Sequence, residues 1–356
     1  MSEITVLNYL NSSENFLLSV IIPCYNCREY IYECLHSVYD QIDDSVEIII
    51  INDGSTDGSL ELIELFLNNN KVKTIKLFSQ KNQGLSAARN FGINLASANY
   101  LAFLDGDDLW DKDFWLNIKP AIQSNDVDLV EFNAARFYEE NIEKRTPVSI
   151  VTQTGTVTIS SIRDLSETFK KNEWFAWSRV YKRTLFNSIK FPIGKNYEDI
   201  ATIPLLYLES KKIHSIKKEL LLYRVREGSI TCTPSIKNIN DIISALHVFN
   251  EIKTQNHEKN IDVIAPAVYS TFSLIRRVST QKYGYCFFDK EQIKNLKKAI
   301  SPFKKTFKNS TRIKIKYMLL YCFINKMKFL LKTKSIKLVR HRRQLYPPSS
   351  NPGDVR

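Results

Sequence analysis

Residues 46–58 read VEIIIINDGSTDG, and this stretch decides the fold. Residues 46–51 are apolar and β-branched except for Glu47, and they predict a strand that is buried on both faces. The polar residues 53–58 favour a tight turn, and apolar residues then recur at helical spacing from Leu60 to Leu67. A strand, a turn and a helix of these lengths form one repeating unit of an α/β fold.

The same unit repeats along the first 135 residues. It predicts further strands and helices in alternation, with strands over 18–23, 72–78, 100–104 and 128–132, and helices over 29–39 and 85–96. Strands joined by helices of this length are connected by right-handed crossovers. We therefore expect an open, mostly parallel sheet.

The pattern is less regular after residue 132. Its β-branched and apolar segments predict strands within 148–158 and over 220–225, and helices over 160–171, 197–208, 236–253, 261–280 and 290–299. The chain thus reads as an α/β region followed by an all-helical region.

Polar residues follow three of the predicted strands. Residues 23–26 are PCYN, residues 52–57 are NDGSTD, and residues 105–108 are DGDD. Each segment alone is compatible with an ordinary polar turn. Because the carboxyl ends of parallel strands meet at one edge, we expect the carboxylates to converge there. Converging carboxylates repel one another unless a cation is present, and oxygen ligands suit Mg²⁺ or Mn²⁺.

Six motifs in order give the chain a family resemblance. They are SVIIPCYN (19–26), NDGSTD (52–57), NQGLSAARN (82–90), FLDGDD (103–108), ED (198–199) and YRVREGSIT (223–231). Over about residues 16–231 the chain resembles the inverting GT-A glycosyltransferases of family 2, which build bacterial surface polysaccharides. The resemblance implies a GT-A, Rossmann-like catalytic domain with a mostly parallel sheet, here followed by a C-terminal helical extension.

The resemblance also implies a donor site for a nucleotide-diphospho-sugar, most simply a UDP-sugar. Asp53 would accept a hydrogen bond from a uracil-type ring N–H, Arg89 would sit beside the nucleotide, and Asp105 would face the ribose. The full implied set of donor-binding residues is Pro23, Tyr25, Asn26, Asp53, Asn82, Gly84, Arg89, Asp105, Gly106, Asp107, Arg224 and Arg226. Asp107 and Asp105, a D-x-D motif, would hold Mn²⁺ or Mg²⁺, and Asp108 would help to orient that site.

The catalytic pair implied by the resemblance is Glu198-Asp199. Asp199 would be the base that deprotonates an acceptor hydroxyl, and Glu198 would orient the acceptor or cap the helix. An ordinary acidic first helical turn is the alternative. Trp174 and Trp177 would bind a glycan or lipid-linked saccharide acceptor, or else they are core residues.

Arg224 and Arg226 lie two residues apart on a predicted strand, so they point the same way. In one interpretation they clasp the diphosphate of the donor. In the other they are solvated charges on an edge strand.

The charge distribution sets the C-terminal part of the chain apart. The net charge is +12, yet 17 Lys and Arg and no acids lie between Glu291 and Asp354. Apolar residues at helical spacing among these charges predict an interfacial helix over 312–343 on an anionic membrane. A helix that packs on the catalytic domain is the alternative. No nucleic-acid-binding module is recognisable, so no nucleic-acid partner is expected.

These features predict four regions. They are a polar lead (1–15), a catalytic domain (16–232) with a donor half (16–110) and an acceptor half (111–232), a basic helical region (233–345), and a disordered tail (346–356).

The sequence has no signal-peptide pattern, no apolar run near 20 residues, and six cysteines without a paired framework. We expect a cytoplasmic protein at the inner face of the cell membrane.

The motifs disfavour three other classes of protein. A sugar-phosphate nucleotidyltransferase requires a Gly-rich loop with Arg or Lys after the first strand, where this chain has residues 23–26. An inactive membrane-surface scaffold has no need of Asp53, Asp105, Asp107 and Asp199. A dehydrogenase requires G-x-G-x-x-G after the first strand, and that motif is absent.

Overall fold

The computed structural model describes residues 6–9, 15–70, 74–138, 141–226, 233–255 and 261–345. In this part of the chain one mixed sheet has eleven strands. They are β1 (Val6–Tyr9), β2 (Leu18–Cys24), β3 (Val46–Asn52), β4 (Ile75–Ser79), β5 (Tyr100–Phe103), β6 (Leu109–Trp110), β7 (Leu129–Tyr138), β8 (Asn141–Val148), β9 (Gly155–Thr158), β10 (Arg179–Lys182) and β11 (Lys212–Val225).

The strand order is β1-β4-β3-β2-β5-β10-β7-β11-β6, with β8 beside β7 and β9 beside β11. Strands β2 to β5 are mutually parallel. Strand β10 is antiparallel to both β5 and β7, and β11 is parallel to β7. Strands β2, β3, β5, β7 and β11 therefore end at the same edge, which we call the rim. The mostly parallel sheet predicted from the sequence is confirmed.

Six helices connect the strands. They are α1 (Ile31–Tyr39), α2 (Ser59–Asn69), α3 (Leu85–Leu95), α4 (Phe114–Ile122), α5 (Ser166–Lys171) and α6 (Glu198–Glu209). Helix α3 approaches β2 so closely that a Cβ on Gly92 would lie 2.4 Å from the side chain of Ile21. Because a larger residue at position 92 would push the helix off the sheet, Gly92 fixes the position of α3 and of Arg89 on it.

Six more helices follow β11. They are α7 (Ile236–Ala245), α8 (Val248–Gln255), α9 (Ile261–Tyr283), α10 (Lys290–Ile300), α11 (Asn309–Lys316) and α12 (Met318–Leu345). One hydrophobic cluster runs from sheet residues such as Ile21 and Ile49 through α9 and α10 to Ile315, Met318 and Cys322. The helices after residue 233 thus share a core with the sheet.

Several elements differ from the sequence predictions. Strand β11 has 14 residues instead of six, because its register irregularities near residues 216–221 accommodate a charged stretch. The helix predicted over 236–253 breaks between α7 and α8. Residues 6–9 of the predicted polar lead form an edge strand. The motif residues 227–231 and the predicted disordered tail 346–356 lie outside the described residues.

Helix α12 has one buried and one exposed side. Met318 and Cys322 are buried, whereas Leu319, Leu320 and Phe323 are among its exposed apolar residues. Over the described residues, none of the helices combines the length and the apolar character needed to traverse a bilayer.

Candidate active site

The rim gathers the side chains that the sequence singled out. Tyr25 follows β2, Asp53 follows β3, Asp105 to Asp108 follow β5, and Arg224 and Arg226 lie at the end of β11. Tyr25 is half exposed, as expected of a ring that stacks on a ligand. The sheet topology alone therefore places the predicted donor residues along one edge.

The loops after β2 and β3 are joined by hydrogen bonds. Thr56 N donates to Asn26 Oδ1 (2.9 Å), and Asn26 N donates to Ser55 Oγ (3.1 Å). Asn26 adopts a left-handed conformation with φ 51°, which Asn tolerates better than most residues. Asn26 therefore shapes the loop beside Pro23 and Tyr25, and its predicted contact with the donor remains a prediction.

Asp53 organises the loop that precedes α3. Its Oδ1 accepts hydrogen bonds from Gln80 Nε2 (2.7 Å) and Gln83 N (2.9 Å), and its Oδ2 accepts one from Gly84 N (2.7 Å). Gly84 has φ 88°, a conformation that favours glycine. The neighbouring Asn82 is exposed at the rim. Both oxygens of Asp53 are already engaged, so the structure gives it a loop-holding role that the sequence did not predict.

Arg89 is buried and is ion-paired with three carboxylates. Only 1% of its side chain is exposed, and its guanidinium binds Asp105 Oδ1 (2.8 Å), Glu198 Oε1 (2.7 Å) and Asp199 Oδ1 (3.1 Å). It therefore lies beneath the rim, and its predicted place beside a nucleotide stays a prediction. A guanidinium has a rigid fork of donors, so one Arg can hold several carboxylates in a fixed arrangement.

The predicted catalytic pair, Glu198 and Asp199, begins helix α6. Asp199 Oδ2 also accepts a hydrogen bond from Ala176 N (3.0 Å). Burial raises the pKa of Asp199 and raises that of Glu198 to about 7, and Arg89 opposes both shifts. The side chain of Asp199 is 19% exposed, against 9% for Glu198. Asp199 is therefore the more accessible of two carboxyls that accept protons readily.

The acids after β5 are each held by an arginine. Asp107 Oδ2 accepts from Arg226 Nε (2.6 Å), and Asp108 Oδ1 accepts from Arg224 N (2.9 Å). Arg224 is buried, and its guanidinium also binds the Asp107 carbonyl (2.8 Å) and Glu33 Oε2 (2.6 Å). The alternative of two solvated charges is wrong for Arg224. Its guanidinium fixes the acidic loop, and Arg226, which is more exposed, is the better candidate for a phosphate contact.

Gly106 stands where the chain passes over the end of β2. A Cβ there would lie 2.9 Å from Cys27 Sγ and 3.2 Å from the Pro23 carbonyl oxygen. Cys27 is buried and contacts Cys24. A glycine in the middle of the D-x-D motif is therefore required by the packing of Cys27.

The two tryptophans predicted to bind acceptor are core residues. Trp174 is 3% exposed and Trp177 is 4% exposed, so neither presents a ring face to a sugar in this structure. Trp177 is the middle ring of a parallel stack, between Phe175 (centroids 4.6 Å apart) and Tyr223 (5.6 Å). For both tryptophans the structure therefore favours the alternative of core packing over the predicted contact with an acceptor. Three of the four residues in 174–177 are aromatic, so the sequence gave no signal for which ring faces outward.

Two carboxylates are available for a divalent cation. Burial and the charge of Asp105 raise the pKa of Asp107, while Arg226 lowers it. A cation would relieve this repulsion, so Asp107 and Asp105 fit an oxygen-coordinated metal. Among the described residues no group of three or more His, Cys, Asp or Glu is arranged around a common point. Phosphate oxygens of the donor and water are further ligands that would suit such an ion.

Comparison with known proteins identifies the family. The sequence model described as Glycosyl transferase family 2 matches residues 19–195. Glycosyltransferase GlyG of Streptococcus pneumoniae is 31% identical over 233 residues, which cover 61% of this chain and 73% of GlyG. The chain belongs to glycosyltransferase family 2. This membership favours glycosyl transfer over the nucleotidyltransferase and dehydrogenase classes.

Another relative of this family 2 glycosyltransferase is much longer. Glycosyltransferase GlyA of S. pneumoniae is 32% identical over 234 residues, which cover 64% of this chain but only 33% of GlyA. The chain thus spans about a third of GlyA and about three quarters of GlyG.

Solved structures show the shared fold. S. aureus TarS 1-349 in complex with UDP superposes with a TM-score of 0.67 at 19% identity, over 90% of this chain and 92% of that one. TarS 1-349 in complex with UDP-GlcNAc gives a TM-score of 0.63 at 18% identity, over 82% and 81%. Both likenesses extend well past residue 232, so the fold includes helices of the C-terminal extension. The GT-A architecture implied by the resemblance is confirmed.

Proposed function

We propose that this family 2 glycosyltransferase moves a sugar from a nucleotide-diphospho-sugar, a UDP-sugar, to a hydroxyl of a glycan or lipid-linked acceptor. The transfer inverts the anomeric configuration and serves bacterial surface polysaccharide synthesis (capsule, O-antigen or lipooligosaccharide). The observation that carries this proposal is the contact of one buried guanidinium, Arg89, with both the donor acid Asp105 and the pair Glu198-Asp199. UDP and UDP-GlcNAc bound to TarS support the choice of donor.

The proposed reaction is a single displacement. Asp199 takes the proton of the acceptor hydroxyl, whose oxygen attacks the anomeric carbon as the bond to the diphosphate breaks. The electron pair leaves with the nucleoside diphosphate. Arg89 and Ala176 N hold the two oxygens of Asp199, so its orientation is fixed before the acceptor arrives. The raised pKa of Asp199 suits a group that must accept a proton.

Mn²⁺ or Mg²⁺ would be held by Asp107 and Asp105, together with the donor. Such an ion supplies positive charge to a departing diphosphate. Arg226 already contacts Asp107, so the protein has its own cation at the same place. A complex of the mannosyltransferase PcManGT from Pyrobaculum calidifontis with GDP-Man and Mn²⁺ has a TM-score of 0.50 at 15% identity, over 88% of this chain and 86% of that one. It supports a metal in this fold.

Substitution of the proposed base tests the chemistry. In a panel of UDP- and GDP-sugars with Mn²⁺, we expect release of nucleoside diphosphate from at least one donor. Asp199→Asn should lower that release by about 10² to 10⁴-fold, the usual contribution of a general base. Its affinity for UDP, measured by calorimetry, should stay within about twofold of wild type. Turnover near the wild-type rate in Asp199→Asn would move the role of base to another residue.

We further propose that the C-terminal helix attaches the enzyme to an anionic membrane. The apolar face of α12 includes Leu320, Phe323 and Leu331, all exposed, and lysines such as Lys326 and Lys328 flank it. An amphipathic helix with this composition lies in the interface of an anionic bilayer. A lipid-linked acceptor would then reach the rim from the same membrane.

A further inference from the structure

A second group of side chains lies on the acceptor side of the rim. Arg136 on β7 and Tyr223 on β11 are register partners in a parallel pair, so their side chains point to the same face of the sheet. Arg224 and Phe137, the next partners, point to the other face, where Arg224 lies over the Phe137 ring. Tyr223 stacks on Trp177. The face that carries Arg136 is therefore the face on which the aromatic stack lies.

The aromatic stack is adjacent to the proposed base. Phe175 and Trp177 flank Ala176, whose N–H donates to Asp199 Oδ2 at 3.0 Å. The three rings are nearly parallel, with interplanar angles of 11° and 17°. Trp177 is the buried middle ring, whereas the outer rings of Phe175 and Tyr223 are partly exposed. Partly exposed aromatic faces beside a catalytic base can hold the apolar face of a pyranose ring.

Arg136 is partly buried, and the described residues provide no close acidic partner for it. None of the described carboxylates lies within 4.0 Å of its guanidinium. Glu173 is near enough for Arg136 to oppose the rise that burial causes in the pKa of Glu173. By contrast, the described rim arginines Arg224 and Arg226 are both ion-paired. A guanidinium in this position is well suited to a carboxylate or phosphate supplied by a ligand.

We propose that Tyr223 and Arg136 form an acceptor subsite for an anionic saccharide. A pyranose ring lies against the outer ring of Tyr223, the register partner of Arg136, and Arg136 binds a carboxylate or phosphate of the same molecule. This inference rests on the proposed function, because it takes Asp199 as the base. In this proposal Trp174 and Trp177 do not bind the acceptor. The acceptor must also carry a negative charge, which aromatic residues alone would not require.

The test measures binding of three probes by ligand-observed NMR, with UDP present at saturation so that the donor site is filled. The probes are methyl β-D-glucoside, which is neutral, methyl β-D-glucuronide, which carries a carboxylate, and glucose 1-phosphate, which models a sugar attached to a lipid phosphate. We expect at least one anionic probe to bind about tenfold more tightly than the glucoside, the usual effect of a hydrogen bond to a charged group. The anionic probe that is preferred identifies the source of the charge.

Variants separate the two parts of the subsite. Arg136→Ala should bind all three probes with the affinity of the glucoside, and Arg136→Lys should recover part of the preference. Tyr223→Leu, which keeps an apolar side chain in place, should weaken all probes by a similar factor. Arg145→Ala, on the neighbouring strand β8 and exposed, is the matched control and should bind like wild type. Thermal unfolding of each variant checks that it is folded.

Three results would overturn the subsite. They are equal binding of charged and neutral probes by wild type, an anionic preference that survives in Arg136→Ala, and no detectable binding of any probe. Hydrolysis of the donor should stay within about twofold of wild type in the control Arg145→Ala. If wild type hydrolyses no nucleotide sugar but still prefers anionic probes, the proposed function fails while the subsite stands.

Discussion

At the residue scale, Arg89 joins the donor side of the site to the catalytic side. Its three carboxylate partners come from two distant parts of the chain, Asp105 after β5 and Glu198-Asp199 on α6. Removing one member of a buried charge network leaves the others without compensation. Arg89 therefore stabilises the fold and orients the proposed base at the same time.

Substitution of Arg89 should affect both roles. We expect Arg89→Lys, which can hold only part of the network, to lower turnover of the nucleotide sugar by about 10²-fold through misplacement of Asp199. Arg89→Ala should lower the free energy of unfolding by about 3–5 kcal/mol. Arg145→Lys, which alters an exposed ion pair, should change it by less than about 0.5 kcal/mol. Denaturant unfolding and a donor-hydrolysis assay measure both effects, and wild-type turnover in Arg89→Lys would refute the orienting role.

Gly106 offers a second test at this scale. Because a Cβ there would lie 2.9 Å from Cys27 Sγ, we expect Gly106→Ser to lower the free energy of unfolding by about 1–3 kcal/mol through overpacking. Cys27→Ala removes the obstructing sulfur. In a double-mutant cycle the cost of Gly106→Ser should therefore be smaller in the Cys27→Ala background. Purely additive effects would show that the two positions do not compete for space.

The sequence predicted which residues lie at the rim, but it did not predict which residues they contact. The strand-end motifs led to Asp53, Asp105 and Asp107 at the rim, since strand polarity alone determines which ends meet. The partner set of Arg89 had no local signal, because Arg89 and Asp199 are 110 positions apart in the chain. The placement of Trp174 depended on how its loop packs on Tyr207 and Phe169, and no periodicity reports such packing.

At the element scale, the buried parallel strands were predictable and the long strand β11 was not. Strands β2 and β3 are buried at every position and are apolar apart from Ser19, Glu47 and Asn52, which is the pattern of a strand covered on both faces. The middle of β11 contains Lys217, Lys218 and Glu219 and passes through register irregularities. Charged residues on a half-exposed strand hide its period, so the sequence predicted only residues 220–225, which are mostly apolar.

The exposed and the buried face of helix α12 lead to separate predictions. We expect the double substitution Leu320→Ser with Phe323→Ser, at positions 55% and 59% exposed, to change the free energy of unfolding by about 0.5 kcal/mol or less. The same variant should lose sedimentation with vesicles of phosphatidylglycerol and phosphatidylethanolamine, because it lacks apolar residues that insert into the interface.

The buried face of α12 provides the control. Met318→Ser, in the core cluster, should lower the free energy of unfolding by about 2 kcal/mol or more and leave vesicle binding of the folded protein intact. Sedimentation of wild type should decrease as salt rises, since salt screens exposed charges. The membrane proposal fails if wild type does not sediment with anionic vesicles, or if the Leu320 and Phe323 double variant sediments equally well.

At the scale of the whole molecule, the catalytic sheet and the helical extension form one packed unit. Helix α9 packs on α5 and α7, and α7 packs on α6, which carries the catalytic pair. Asn196, just before α6, donates its backbone N–H to Asp241 on α7 at 3.0 Å. The extension therefore supports the position of Glu198 and Asp199 as well as carrying the basic helix. The sequence predicted an appended helical region but gave no sign of this shared core, which forms between residues far apart in the chain.

The stereochemistry of donor hydrolysis tests the central claim most directly. An α-linked UDP-sugar that the wild type hydrolyses would be followed by proton NMR at early times, before the released sugar equilibrates its anomers. A single displacement, with water as the acceptor activated by Asp199, should release the β-anomer first, and Asp199→Asn should release it about 10² to 10⁴-fold more slowly. Initial release of the α-anomer, or no hydrolysis of any nucleotide sugar by the folded protein, would contradict an inverting glycosyltransferase built on Arg89, Asp105 and Asp199.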